Sequence, residues 1–253
     1  YEIMPSLVGS EMCIRDSSKI TFGNVGGMVD IYVGSDGSEI DAIDDITPSA
    51  YEEANAMSGT YKDVGNLAGQ MGIGLKTTVP VLGTVSAQYV PKADSTKNAD
   101  NAASGNAGAL VGSGYEVAIK TSLADLPVVG SYLGDLALTT GFAEQETAKI
   151  TNTSDRREAT AALTGSFGNL KFGYQKDFVD LGQTTTAGAD ADFYKIEQIG
   201  LAYAINEALS ISYNTMEQSQ HNIDADSSFE QDTTAINIGY TVGGMTIGFQ
   251  DAS

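Results

Sequence analysis

The chain has no tryptophan, one histidine, one cysteine and five prolines in 253 residues, and it lacks any unbroken apolar run of the about 18 residues that a membrane-spanning helix needs. If the chain crosses a bilayer, it must do so with strands. The single cysteine, Cys13, excludes an internal disulfide and a Cys-x-x-Cys metal or redox motif. Cations are scarce as well: 13 Lys+Arg stand against 33 Asp+Glu, a formal net charge of -20. A basic phosphate-binding face is hard to assemble from so few, so nucleic acid is not an expected partner.

Catalytic and cofactor motifs are equally thin. His221 stands in a polar stretch near Asp224 and Asp226, where a lone histidine is an ordinary solvated residue rather than a general acid or base. Asp190-Ala191-Asp192 and Asp224-Ala225-Asp226 lack the full ligand set of a calcium loop. The stretch GIGLKTT has neither the spacing nor the setting of a phosphate-binding loop. Asn152-Thr153-Ser154 matches a glycosylation pattern by accident. No enzyme, cofactor or metal is expected.

Residues 1–17, YEIMPSLVGSEMCIRDS, show neither the period of a strand nor the charged-then-apolar order of a signal peptide. They resemble translated sequencing-adapter sequence and are expected to be an unstructured artefact. Without Arg15, Glu2, Glu11 and Asp16 the balance is 12 Lys+Arg against 30 Asp+Glu, or -18, so the acidic character does not depend on them.

What the chain does have is glycine, 29 residues of it, and alternation. In Met71, Ile73, Leu75, Thr77 and Val79 the intervening residues are Gly72, Gly74, Lys76 and Thr78, the period-two pattern of a strand with one apolar and one polar face. The pattern recurs at Val85–Tyr89, Tyr115–Leu123, Leu136–Phe142, Ala161–Leu163, Leu170–Tyr174, Ile199–Ile205, Leu209–Tyr213, Ile236–Val242 and Met245–Phe249. With Lys19–Phe22 and Val29–Val33 this makes about 12 segments, most near the about 9 to 11 residues of a tilted transmembrane strand.

Connections alternate short and long. Short ones are 78–83, 165–169, 205–208 and 242–244; long, polar ones are 34–69, 91–114, 144–157, 176–192 and 216–232. Outer-membrane barrels sort their loops by side in this way, and soluble sandwiches have no reason to. The polar face of alanine, glycine, serine, threonine, glutamine and lysine cannot make a dry core, so it is expected to meet water. Tyr89, Phe142, Tyr174 and Tyr213 sit near segment ends on the apolar face, where interfacial girdles lie.

Hairpins such as AALTGSFGNLKFGYQ and YTVGGMTIGFQ, and the segment ITFGNVGGMVDIYVGS followed by a long acidic loop, resemble the Gram-negative general diffusion porin family from Lys19 to the end. The resemblance implies an all-β, antiparallel transmembrane β-barrel in the outer membrane of a Gram-negative bacterium. With Val29–Val33 as the fifth strand, residues 18–253 supply about 12 of 16 strands, an internal fragment lacking a closing strand. It further implies a homotrimer when full length, and a constriction loop, 34–69, folded back into the pore.

Within that loop Thr47 is a suitable N-cap and Pro48 a suitable first helical residue, which predicts a short helix through AYEEANAM before Gly59. By the resemblance, the loop acids Glu39, Asp41, Asp44, Asp45, Glu52 and Glu53 face wall cations across an eyelet. On lumen-facing parity those cations are Lys76, Lys120 and Lys171, with Arg156 nearer a rim. Asp30, Glu116 and Glu197 are expected at inward or near-rim positions too. The acid excess predicts a weakly cation-selective passive pore for small hydrophilic solutes and ions, with the lipid bilayer as its surroundings. Two other readings fit parts of the pattern. A secreted acidic β-rich surface protein or adhesin would share the composition, although no fixed solenoid repeat is visible; a solute-specific channel would share the barrel and differ in its loops.

Overall fold

The computed structural model describes residues 19–35, 39–52, 54, 61–91, 111–128, 130–147, 154–182, 191–223, 228–243 and 245–253. The expected artefact at 1–17, Glu53, Asp190, Asp224, Asp226 and the Asn152-Thr153 dipeptide lie outside them.

Twelve strands follow one another: β1 Lys19–Val25, β2 Val29–Gly34, β3 Gly72–Val79, β4 Gly83–Val90, β5 Val111–Ser122, β6 Ala137–Thr147, β7 Arg156–Phe167, β8 Leu170–Asp180, β9 Ala191–Ala204, β10 Leu209–Asn222, β11 Ser228–Val242 and β12 Met245–Ala252. They form one antiparallel sheet in which each strand pairs with its neighbours in sequence. The sheet is not closed: among the described residues no ladder joins β12 to β1. All twelve alternating segments are strands. A one-turn helix, α1 Gly130–Leu133, sits in the β5–β6 connection, which the alternation had not marked.

Several strands outlast their alternation. β9 begins at Ala191, β10 continues to Asn222 and β11 begins at Ser228, so the long connections expected at 176–192 and 216–232 are shorter than the sequence pattern suggested. Both faces are polar there and the period-two contrast fades, but the backbone ladder needs no side-chain contrast to continue. His221 therefore lies in a strand rather than a loop, opposite Phe193 and stacked on its ring at a centroid distance of 4.4 Å.

The two faces differ. One carries most of the large apolar side chains and leaves them exposed, among them Ile199, Leu201, Ile211, Ile236, Ile238, Ile247 and Phe249, whereas Val90, Val179, Tyr194, Ile196 and Met216 lie buried on the opposite face. The other carries Ser86, Gln88, Glu116, Thr139, Gln145, Glu158, Gln175, Asp177, Gln198, Asn214 and Asn237, and these polar side chains are buried. What buries them is the described part of the segment between β2 and β3, residues 39–52, 54 and 61–70, which folds back over this inward face. Its apolar anchors Ile40, Val64 and Leu67 belong to the cluster of buried hydrophobics.

The upper edge of the exposed apolar zone is marked by charge. On β6 and β7 it is Glu144 with Arg157, 2.9 Å apart; on β8 and β9 it is Lys176 with Glu197, 2.6 Å apart. Of the inward or near-rim placements expected for Glu197, the inward one does not hold: the residue sits on the outward face at this edge, and Tyr174 Oη donates to it at 2.9 Å. Glu217 and Asp232 continue the row on β10 and β11, and Asp251 marks β12.

The registers show how this edge slides. The Lys176–Glu197 row crosses β7 at Ala161, four residues beyond Arg157. Asp251 traces through Ile236, Tyr213, Leu201 and Phe172 to Gly165, eight residues beyond Arg157. The eight residues accumulate as four between β7 and β8 and four between β11 and β12, with no shift across β8–β11, and displace the edge by about 26 Å along the strands at about 3.3 Å per residue.

Candidate functional site

The site is built from the inward segment and the wall it lies against. Pro48 crosses β8 and β9, where glycine removes the obstacle: a Cβ on Gly200 would stand 2.6 Å from the Pro48 carbonyl oxygen, and one on Gly173 2.6 Å from Pro48 Cδ. Ala50 presses on Gly239 of β11 and Tyr51 on Gly248 of β12 in the same way. At the other end of the path, Ile40 and Ile43 lie over Gly141 of β6.

Wall side chains then hold the segment's backbone. Gln175 Nε2 donates to the carbonyl of Ile43 at 3.1 Å and to that of Asp44, and Gln175 Oε1 accepts from the Ile46 amide at 3.0 Å. Gln198 donates to Asp44 O at 3.1 Å, Asn214 to Pro48 O at 2.9 Å, and the Ala50 amide donates to Ser212 Oγ at 2.9 Å. On the return path the Lys62 amide donates to Gln218 Oε1 at 2.6 Å, and Tyr61 Oη lies 2.6 Å from Thr233 Oγ1. Glu158 accepts the amides of Gly65 and Asn66 at 2.6 and 3.0 Å.

These bonds explain why the predicted helix does not start at Thr47-Pro48. Residues 48–52 make no helical turn, because their backbone groups are engaged by Ser212 and Asn214 rather than by one another; each such bond is worth about 1 kcal/mol net, which outweighs a weak local propensity. A 3-10 turn forms earlier, at Asp41–Ile43, and Ala54, within the expected helix, is itself in 3-10 conformation. The remainder of the predicted helix, residue 53 and residues 55–57, lies outside the described residues.

The acids divide into two groups. Glu39 faces the wall of β2–β5: Tyr32 Oη donates to its carboxylate, and its own amide donates to Glu116 Oε1 at 2.8 Å. Asp41, Asp44 and Asp45 gather instead with Asp63 from the return path. Burial, together with Asp45 and Asp41, pushes the Asp44 carboxyl up to about 8, so it holds its proton at neutral pH. Asp63 is raised too, by burial and then by Asp41, with Lys62 opposing. Glu52 is half-buried and its carbonyl accepts a hydrogen bond from Ser49 Oγ at 2.5 Å.

The wall cations divide likewise. Lys76 and Lys120 share with Glu39, Ile43, Ile46 and Thr139 a recess of about 260 Å³ between the segment and β3–β6. Lys171 is exposed at the start of β8, opposite Ala202, and is not brought to that recess. Arg156 is already committed, since its guanidinium lies 2.7 Å from Glu158 Oε1, the carboxylate that also anchors Gly65. Two cations and one acid of the expected eyelet therefore come together, while the aspartates of the 3-10 turn face their own kind.

Asp63, Glu158 and the row of wall amides were not singled out from the sequence. A pattern was there to find: on inward parity a glycine stands two residues from an amide in Gly173-Tyr174-Gln175, Gln198-Ile199-Gly200 and Asn237-Ile238-Gly239. The chain matches no protein-family model, and no curated protein matches it in sequence.

Proposed function

We propose that this chain forms the wall and internal constriction of an outer-membrane β-barrel, a passive pore for small hydrophilic solutes and ions. The observation that carries the reading is the charged border of the exposed apolar face. It slides by eight residues over the six strand-to-strand steps from β6 to β12, four between β7 and β8 and four between β11 and β12; averaged over those steps, this is the offset of a level border on strands tilted by about 42°, within the about 35–45° of transmembrane barrel strands. A protein in water gains nothing from an exposed apolar zone bordered by charge across seven strands, whereas a bilayer accounts for one.

Further observations support it. Ile236, Ile247 and Phe249 are 54%, 55% and 62% exposed, and exposed apolar surface of such extent marks a partner or a membrane. Open, strongly twisted sheets rarely exceed about 10 strands without curling, which favours a curved wall around the inward segment. That segment occupies the polar side, where a pore would be narrowed.

Small solutes pass, in this reading, through the recess between the segment and the β3–β6 wall, past Lys76, Lys120 and Glu39. The general acid excess draws cations to the mouths and makes the pore weakly cation-selective, and the two lysines moderate that preference locally. The test is to record the complete gene product in a planar bilayer. Stepwise conductance with a reversal potential of cationic sign in a salt gradient is the expected result. A protein that stays in aqueous buffer without detergent and gives no steps belongs to the secreted surface class instead.

A further inference from the structure

We propose that Gly173, Gly200 and Gly239, each paired with the amide two residues away on its own strand, are positioning residues that seat the 39–52 segment on the β8–β12 side and so keep the passage open beside β3–β6. The inference rests on the pore reading and adds to it which residues set where the bore lies.

The geometry assigns each pair a double task. The glycine lets the segment's backbone come to the wall, and the amide then bonds it. On β8, Gly173 clears Pro48 while Gln175 holds Ile43, Asp44 and Ile46. On β9, Gly200 clears the Pro48 carbonyl while Gln198 holds Asp44. On β11, Gly239 clears Ala50 while Asn237 Nδ2 donates to Ser49 Oγ at 3.3 Å. β10 varies the pattern, with Ser212 in the glycine position and Asn214 as the amide.

The pairs also follow the tilt. Gly173 lies opposite Gly200, Gly200 opposite Asn214, Ser212 opposite Asn237, and Gly239 opposite both Ser210 and Gly248. The seat therefore shifts by four residues along the strands between β8–β9 and β11–β12 as the segment crosses the wall. A side chain on a seat glycine pushes the segment toward the recess shared by Lys76 and Lys120, where there is space beside Glu39 and Ile43.

A disulfide reporter separates this inference from the pore reading. Ser49 Oγ and Ser212 Oγ are 3.4 Å apart, so the complete gene product carrying Ser49→Cys and Ser212→Cys, with any other cysteine replaced by serine, is expected to cross-link readily under mild oxidation. Adding Gly200→Val is expected to reduce cross-linking several-fold and to lower and destabilise the conductance, with Gly200→Ala intermediate, while heat-modifiable migration on gels shows the wall still folded. Cross-linking in Gly200→Val as fast as in the parent overturns the inference. Should Gly200→Val not fold, Gly173→Ala, whose Cβ meets Pro48 Cδ at 2.6 Å and Thr47 Cα at 3.2 Å, takes its place with the same two outcomes. Loss of cross-linking in a protein whose parent gives no conductance at all leaves the seat standing and removes the pore.

Discussion

Arg156 and Glu158 face each other at 2.7 Å on the inward side of β7, and the carboxylate that pairs with the guanidinium also receives the backbone amides of Gly65 and Asn66. Glu158 is 2% exposed, so its charge depends entirely on these partners. One side chain thereby ties the return path of the inward segment to the wall.

Replacing Glu158 with glutamine strands the Arg156 charge and weakens two charge-assisted bonds, a loss of about 3 kcal/mol on the scale of broken buried pairs. The expected outcome is a lower melting temperature and faster protease cleavage near Asn66, with the sheet intact by circular dichroism. Arg156→Ala should cost less, because Glu158 keeps both backbone donors.

Asp44 makes the seating pH-dependent. Its carboxyl titrates near the ordinary carboxylate value of 3.8 when the segment is free and at about 8 when it is seated. Between those values the folded form binds the extra proton, so stability falls as pH rises across that window and levels off above it. Melting temperatures from pH 5 to 8.5 are expected to decline in the parent and to decline less in Asp44→Asn. Asp63, raised in the same direction, adds to the trend.

Lys76 and Lys120 are the cations placed beside Glu39. Lys76→Ala with Lys120→Ala is expected to move the reversal potential in a potassium chloride gradient further toward cations, whereas Arg156→Ala, whose charge is already paired, should move it less. Equal shifts from both substitutions would contradict this division of roles.

On the outward face, Leu201→Arg places a cation within the apolar zone, and a cost of about 2–4 kcal/mol is expected for the complete gene product folded in phospholipid bilayers. Ser219→Arg, beyond the Lys176–Glu197 edge, should cost about 0–1 kcal/mol. Urea titrations in vesicles measure both.

Much of this fold was legible because side-chain contrast between the two faces repeats every second residue: Ile199, Leu201 and Tyr203 against Gln198, Gly200 and Ala202 leave little choice of register. Where contrast fades, as in Glu217–Asn222, only the backbone ladder marks the strand and the alternation is silent. The acidic segment was legible as a loop but not as a seated one. Thr47-Pro48 has the local chemistry of a helix start, and only the wall amides Asn214 and Gln175, distant in sequence, decide otherwise. Arg156 reads as a wall cation until its neighbour Glu158 is seen to point the same way, which their spacing of two on a strand already implied.

The most direct measurement is nitroxide accessibility along β9, one spin label at a time from Gln198 to Ala204 with Gly200 left unlabelled, in the complete gene product reconstituted into bilayers. Labels at Ile199, Leu201 and Tyr203 should be reached by oxygen dissolved in lipid, and labels at Gln198, Ala202 and Ala204 should not. Strong collisions with a water-soluble nickel reagent at Ile199 and Leu201 would contradict the account.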